Sequence, residues 1–306
     1  MSDDKYVGVM VPILTPLTPE LEVDVSSLRS LVGYLLDNGV HGIWASGTTG
    51  EFPAFDNHQR MVSIDTVVAE VAGRVPVIAN VSHASTQLTV DFGKQLSESG
   101  VDAIAATPPY YYSQTPDEML EHFTYIQNQV RLPLWVYNIP QMVKTPVPPA
   151  TVVKLAAEGV VQGIKDSSGT GELLAELNIR CAQSGVSLNR MIGTTLRVTS
   201  ACGLGIDGVI PGLANLIPEI YVKAWEAGID GDREQVTKYD AKLMIADQVG
   251  KLALAGSAPS TFAGLKTALK LIGVIEHDAV ARPTRSLTEK EASPMPGILR
   301  ELGLLN

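Results

Sequence analysis

Short apolar runs rich in valine and isoleucine alternate along the chain with longer stretches of helical period, the pattern of repeated strand–helix units around a parallel sheet. The strand-like runs fall at 7–14, 42–45, 75–80, 103–106, 134–137, 160–165, 189–192 and 208–211. Between them, segments such as 25–36 put Leu28, Leu31, Val32, Leu35 and Leu36 on one helical face. Asp56 before a helix at 60–71, Ser85 before one at 88–96, and Thr115-Pro116 supply helix starts. Asn38-Gly39, Ser99-Gly100 and Glu158-Gly159 supply stops. Eight strands predict a closed α/β barrel, the (β/α)8 TIM architecture, over residues 1–216. Residues 217–306 carry helical patterning at 217–227, 233–249, 260–271 and, interrupted by prolines, 292–302. They are expected to form a C-terminal helical extension packed outside the barrel, with no linker setting off an independent domain.

Composition narrows the functional classes. A formal net charge of -10 and a pI near 5.0 leave no field to attract nucleic acid. The start, Met1-Ser2-Asp3-Asp4-Lys5, is acidic, and no apolar stretch approaches the roughly 18 residues a membrane span needs. A cytoplasmic protein is expected. Cys181 and Cys202 lack metal-ligand spacing and read as reduced packing residues, while His41, His58, His83, His122 and His277 are too scattered to suggest zinc. The expected chemistry uses neither metal nor cofactor.

In such a barrel the reactive groups stand at the C-terminal ends of the strands. Strand 2 ends in Gly47-Thr48-Thr49-Gly50-Glu51, strand 5 in Tyr137-Asn138-Ile139-Pro140 and strand 6 in Gly163-Ile164-Lys165-Asp166. Lys165 closes an apolar strand, where burial would lower its pKa and free an amine for Schiff-base chemistry. A lysine snorkelling to solvent would occupy the same place. The Gly47–Glu51 segment pairs two hydroxyls with two glycines ahead of an expected helix start, which suits a carboxylate, and also reads as an ordinary glycine-rich turn. Tyr137 offers a phenol for proton transfer or for packing. Pro108-Pro109-Tyr110-Tyr111-Tyr112 reads first as a rigid loop with packed rings. Gly203-Leu204-Gly205-Ile206-Asp207-Gly208 has the letters of a dinucleotide fingerprint but leaves a helix and enters a strand, so it reads as a stop and turn.

Together, the three strand-end motifs resemble the dihydrodipicolinate synthase / N-acetylneuraminate lyase family of class I pyruvate aldolases, with order and spacing agreeing over nearly the whole chain. The resemblance implies that Lys165 is the Schiff-base lysine and Tyr137 the proton relay. It implies that Thr48 and Thr49, with Gly47, bind the pyruvate carboxylate and that the two threonines join the relay, and that Gly193 and Ile210 line the pyruvate pocket. Tyr111 is similar to a tyrosine that family members insert into a neighbouring subunit's site, which implies a homo-oligomer, typically a tetramer. The partners implied are small molecules: pyruvate or another 2-keto acid, and an aldehyde. Two positions depart from the family. Met142 stands where the synthases usually carry a carboxylate-binding arginine, with Lys144 nearby, and Gly193-Thr194-Thr195 replaces an acidic pair. These departures point towards a 2-keto-3-deoxy sugar acid as substrate. The alternatives are a true dihydrodipicolinate synthase condensing pyruvate with aspartate semialdehyde, a dehydratase using the same imine, and a non-catalytic keto-acid binder.

Overall fold

The computed structural model describes residues 5–193, 198–253 and 258–306. Eight parallel strands close into a barrel in sequence order: β1 Gly8–Pro12, β2 Gly42–Ala45, β3 Val77–Asn80, β4 Ala103–Ala106, β5 Leu134–Asn138, β6 Gly163–Asp166, β7 Asn189–Ile192 and β8 Gly208–Val209. Each strand feeds a helix on the outside, as the alternation of patterns predicts. The runs at 75–80, 160–165 and 208–211 overstate their strands: Pro76 and Pro211 have no N–H for a ladder, and Val160–Gln162 approaches β6 as an irregular lead-in.

Strand residues alternate between two cores, because successive side chains point to opposite faces. Val9 and Val11, Ile43, Val77 and Ala79, Ile104, Val136 and Ile164 face the helices. Met10, Trp44, Ile78, Ala105, Trp135, Tyr137 and Met191 face the barrel interior. Two indoles fit there because their neighbours are small. A Cβ on Gly163 would stand 2.6 Å from the Trp135 ring, and one on Gly42 would stand 2.8 Å from Met10 Cε. The interior rings meet edge to face, Tyr6 with Trp135 at 5.3 Å and Trp44 with Tyr137 at 5.4 Å between centroids.

Beyond β8, the helix Pro218–Asp230 packs against β1 and the turn Gly212–Asn215, where the eighth outer helix of a barrel stands. Arg233–Asp247 packs on Pro218–Asp230, and Met295–Glu301 packs on Arg233–Asp247. The helix Ala258–Leu271 crosses to the catalytic face, so the tail does more than coat the outside: Thr261, Phe262 and Leu265 line the cavity at the mouth. The Gly203–Gly208 run leaves the helix Val198–Cys202 and enters β8 through Gly205 at a φ of 65°. Its last glycine would set a Cβ 2.2 Å from the Gly8 carbonyl oxygen, so it serves close strand packing. Among the described residues no helix is long and apolar enough to cross a membrane, and no cluster of His, Cys, Asp or Glu is placed to hold a metal.

Candidate active site

The alternation within β6 decides where Lys165 goes. Ile164 faces the helices, so Lys165 and Gly163 face inwards, and the register sets Lys165 opposite Tyr137 of β5 and Met191 of β7. Lys165 is 3% exposed. Its Nζ lies 4.7 Å from the centroid of Trp44 and 4.5 Å from that of Tyr137. Among the described residues no carboxylate pairs with it. Burial with no anion to offset it lowers the amine pKa to about 7.

Lys266 shows what an anion changes. It is also fully buried, but its Nζ donates to Glu51 Oε1 at 2.5 Å and to the Ala279 carbonyl at 2.9 Å. Burial again lowers the pKa, and here Glu51 pulls it back up.

The Tyr137 hydroxyl and Thr48 Oγ1 are 3.0 Å apart, within hydrogen-bond reach. Burial raises the phenol pKa, and hydrogen bonds to Thr48 and Ser167 work against that rise. The lysine and the Tyr137–Thr48 pair open onto one cavity of about 280 Å3, of ordinary small-molecule size. Thr49, Gly193, Ile210 and Met142 share its wall. A larger residue at Gly193 would require its neighbours to move: a Cβ there would meet Ser167 Oγ at 2.1 Å and Lys165 Cε at 2.9 Å.

The Gly47–Glu51 loop differs in one respect from expectation. It enters a single 3-10 turn, Phe52–Ala54, and the long helix begins only at Asn57, so the loop does not itself open a long helix. Among the described residues, no group accepts the N–H of Thr48 or Thr49. Gly47 lies so close to Trp44 that a Cβ would fall 2.8 Å from its ring. Two non-glycine residues with positive φ flank the loop, Ser46 at 52° and Glu51 at 60°. Such conformations persist where surrounding bonds over-determine them. Arg60 Nε donates to Ser46 Oγ at 3.0 Å, Asn80 Nδ2 donates to the Ser46 carbonyl at 2.9 Å, and Thr15 Oγ1 donates to the Gly50 carbonyl at 2.9 Å. At the other end, Glu51 Oε2 accepts the Ala281 amide at 2.8 Å.

Behind β6, Asp166 accepts from Asn138 Nδ2 at 2.7 Å and Ser168 Oγ at 2.8 Å, which locks the strand ends of β5 and β6 together. Met142, on the short helix Pro140–Val143, borders the cavity opening. Lys144 is exposed and off the cavity wall. Tyr111 is also off the wall of its own chain's cavity, 73% exposed and stacked edge to face with Tyr112. Thr194 and Thr195 lie outside the described residues.

Sequence reasoning missed Ser167, Arg60, Lys266 and the cavity wall from Phe262. Lys266 left a trace, the one charged residue in the helical row Phe262, Lys266, Leu269. Arg60 is buried with no carboxylate partner among the described residues, its pKa lowered by burial to about 9, and its guanidinium lies 4.0 Å from the Phe92 centroid. Nothing in the helical pattern around Arg60 marked that.

A closed barrel with an unpaired buried lysine and an adjacent tyrosine at its mouth defines a class of carbon-bond-forming or carbon-bond-breaking lyases that work through an imine. Residues 5–302 match the Dihydrodipicolinate synthetase family. The 4-hydroxy-tetrahydrodipicolinate synthase of Desulfotalea psychrophila is 30% identical over 304 residues, covering 99% of this chain and 98% of that one. Among solved structures, a dihydrodipicolinate synthase from Bacteroides thetaiotaomicron superposes with a TM-score of 0.91 at 30% identity, covering 97% and 98% of the two chains. The chloride-inhibited enzyme from Acinetobacter baumannii, complexed with pyruvate, gives 0.87 at 27% identity over 98% and 100%. The chain belongs to the dihydrodipicolinate synthetase family, the Schiff-base class I lyases and aldolases.

Proposed function

We propose that Lys165 forms the Schiff base with pyruvate and that the resulting enamine is condensed with, or released from, an aldehyde. The observation that carries this reading is the neutralisable Lys165 amine, buried without an anion beside Tyr137. Neutral Nζ attacks the keto carbon, the carbinolamine loses water, and the protonated imine draws electrons from the adjacent carbon. Loss of a proton from that carbon gives the enamine. Its attack on the aldehyde carbonyl forms the new C–C bond, and Tyr137 returns a proton to the developing alkoxide, with Thr48 as its relay. The free N–H groups and hydroxyls of Thr48 and Thr49 hold the pyruvate carboxylate, and Gly193 and Ile210 shape its pocket. Water then hydrolyses the imine and frees Lys165.

The names of the similar synthases favour aspartate semialdehyde as the second substrate. A second reading, cleavage of a 2-keto-3-deoxy sugar acid, is favoured by the apolar Met142 at the opening. Tyr111 is assigned to the site of a neighbouring copy in a homo-oligomer, because it does not reach its own. Treatment with pyruvate and borohydride is expected to add a reduced pyruvyl group at Lys165, read by peptide mass. An unchanged mass sinks the imine. A kinetic panel of aspartate semialdehyde against 2-keto-3-deoxygluconate separates the two substrates.

A further inference from the structure

Next to the catalytic cavity lies a second one of about 290 Å3, and the two share Thr48, Met142 and Phe262 as walls. The walls of this second cavity are largely apolar, with Pro53, Pro283 and Phe262 among them, and it carries two charged residues, Glu51 and Arg282. Glu51 is fully engaged, by Lys266 Nζ at 2.5 Å through one oxygen and by the Ala281 amide at 2.8 Å through the other. Arg282 follows directly on Ala281, so the bond that satisfies Glu51 also fixes the backbone from which Arg282 projects. Among the described residues, no carboxylate pairs with Arg282. Arg285, three residues on, is already forked onto Glu291 at 2.7 and 2.8 Å.

We infer that Arg282 binds a carboxylate on the second substrate, the aldehyde, and so selects anionic aldehydes over neutral ones. This rests on the imine reading of Lys165. Arg282 is exposed at the rim of the cavity, where its guanidinium presents a two-pronged donor that matches a carboxylate. The arrangement supplies from the C-terminal segment the cation that the position of Met142 lacks. Lys144, the nearer candidate in sequence, is off the wall of both cavities.

The test uses the borohydride-reduced pyruvyl adduct, in which no condensation can follow binding. Succinic semialdehyde and butanal, alike in chain length and different in charge, are titrated into the adduct of the wild-type protein, R282Q and R282K by calorimetry. The expected result is that the wild type prefers succinic semialdehyde, and that R282Q loses roughly five- to tenfold of that preference, the scale of one hydrogen-bonded contact at an exposed arginine. R282K is expected to retain part of it. A folding defect would weaken both aldehydes together and leave their ratio intact, so the ratio reports the charge contact itself. An equal ratio in wild type and R282Q overturns the inference. Failure to form the adduct in the wild type is a different result, which removes the imine reading and this inference with it.

Discussion

Lys165 and Lys266 are both buried, yet among the described residues only Lys266 has a carboxylate beside it. Glu51 within 2.5 Å favours the ammonium of Lys266, while the rings around Lys165 leave burial unopposed. With a pKa of about 7, Lys165 is protonated and inert below neutrality and gains nucleophilicity as the pH rises through that value. The rate of adduct formation with pyruvate should therefore climb with an apparent pKa of about 7, measured by borohydride quenching across pH. A flat profile between pH 6 and about 8 would count against a buried nucleophile. Tyr137→Phe keeps the ring beside Lys165 and removes the hydroxyl that meets Thr48, the proposed relay. Turnover should fall by roughly 10²–10⁴-fold while pyruvate adduct formation survives, since general acid–base steps contribute about that much. Gly193→Ala is expected to slow adduct formation, because its methyl would displace Ser167 Oγ and crowd Lys165 Cε.

At the scale of elements, the strand-2 loop is held at both ends by residues far away in sequence. Arg60 and Asn80 fix Ser46, while Lys266 and Ala281 fix Glu51. Replacing Lys266 with Met leaves Glu51 buried without its cation. Breaking a buried pair in this way costs about 3–5 kcal/mol, and urea denaturation should show a loss of that size. The companion change Glu51→Leu in the same chain should recover part of it, since an apolar pair leaves no charge unmatched. Here lies the limit of what the sequence disclosed. The shared placement of Lys165, Tyr137 and Thr48 at one mouth could be read because parallel strands in a barrel put all their C-terminal ends on one face, a rule that needs no knowledge of packing. The Glu51–Lys266 pair spans 215 positions, and only the folded chain brings its partners together. Arg60 was hidden for the same reason: its partners come from β3 and from the residues following β2 and β3.

For the whole molecule, the eight strands were legible because each was a short apolar run between punctuated helical segments. The course of the tail was not, since an amphipathic helix such as Ala258–Leu271 looks the same whether it covers a ring of helices or crosses a barrel mouth. The large exposure of Tyr111 and Tyr112 is a surface matter of the same scale. If Tyr111 serves a neighbouring copy, Tyr111→Phe should lower turnover while leaving the sedimentation behaviour of the assembly unchanged. Mixing this variant with an inactive Lys165→Ala chain should then yield hybrids with sites whose activity differs from that of either parent.

The barrel interior has a consequence of another kind. Trp44 lies under the amine of Lys165, and Trp135 lies edge to face with Trp44 at 6.3 Å. Any change in charge or bonding at Nζ alters the field across two of the three indoles in the chain. The protein thus contains its own optical reporter. Adding pyruvate should shift or quench the intrinsic emission on the timescale of imine formation, without a dye or a coupled enzyme, and Trp44→Phe should remove most of that signal.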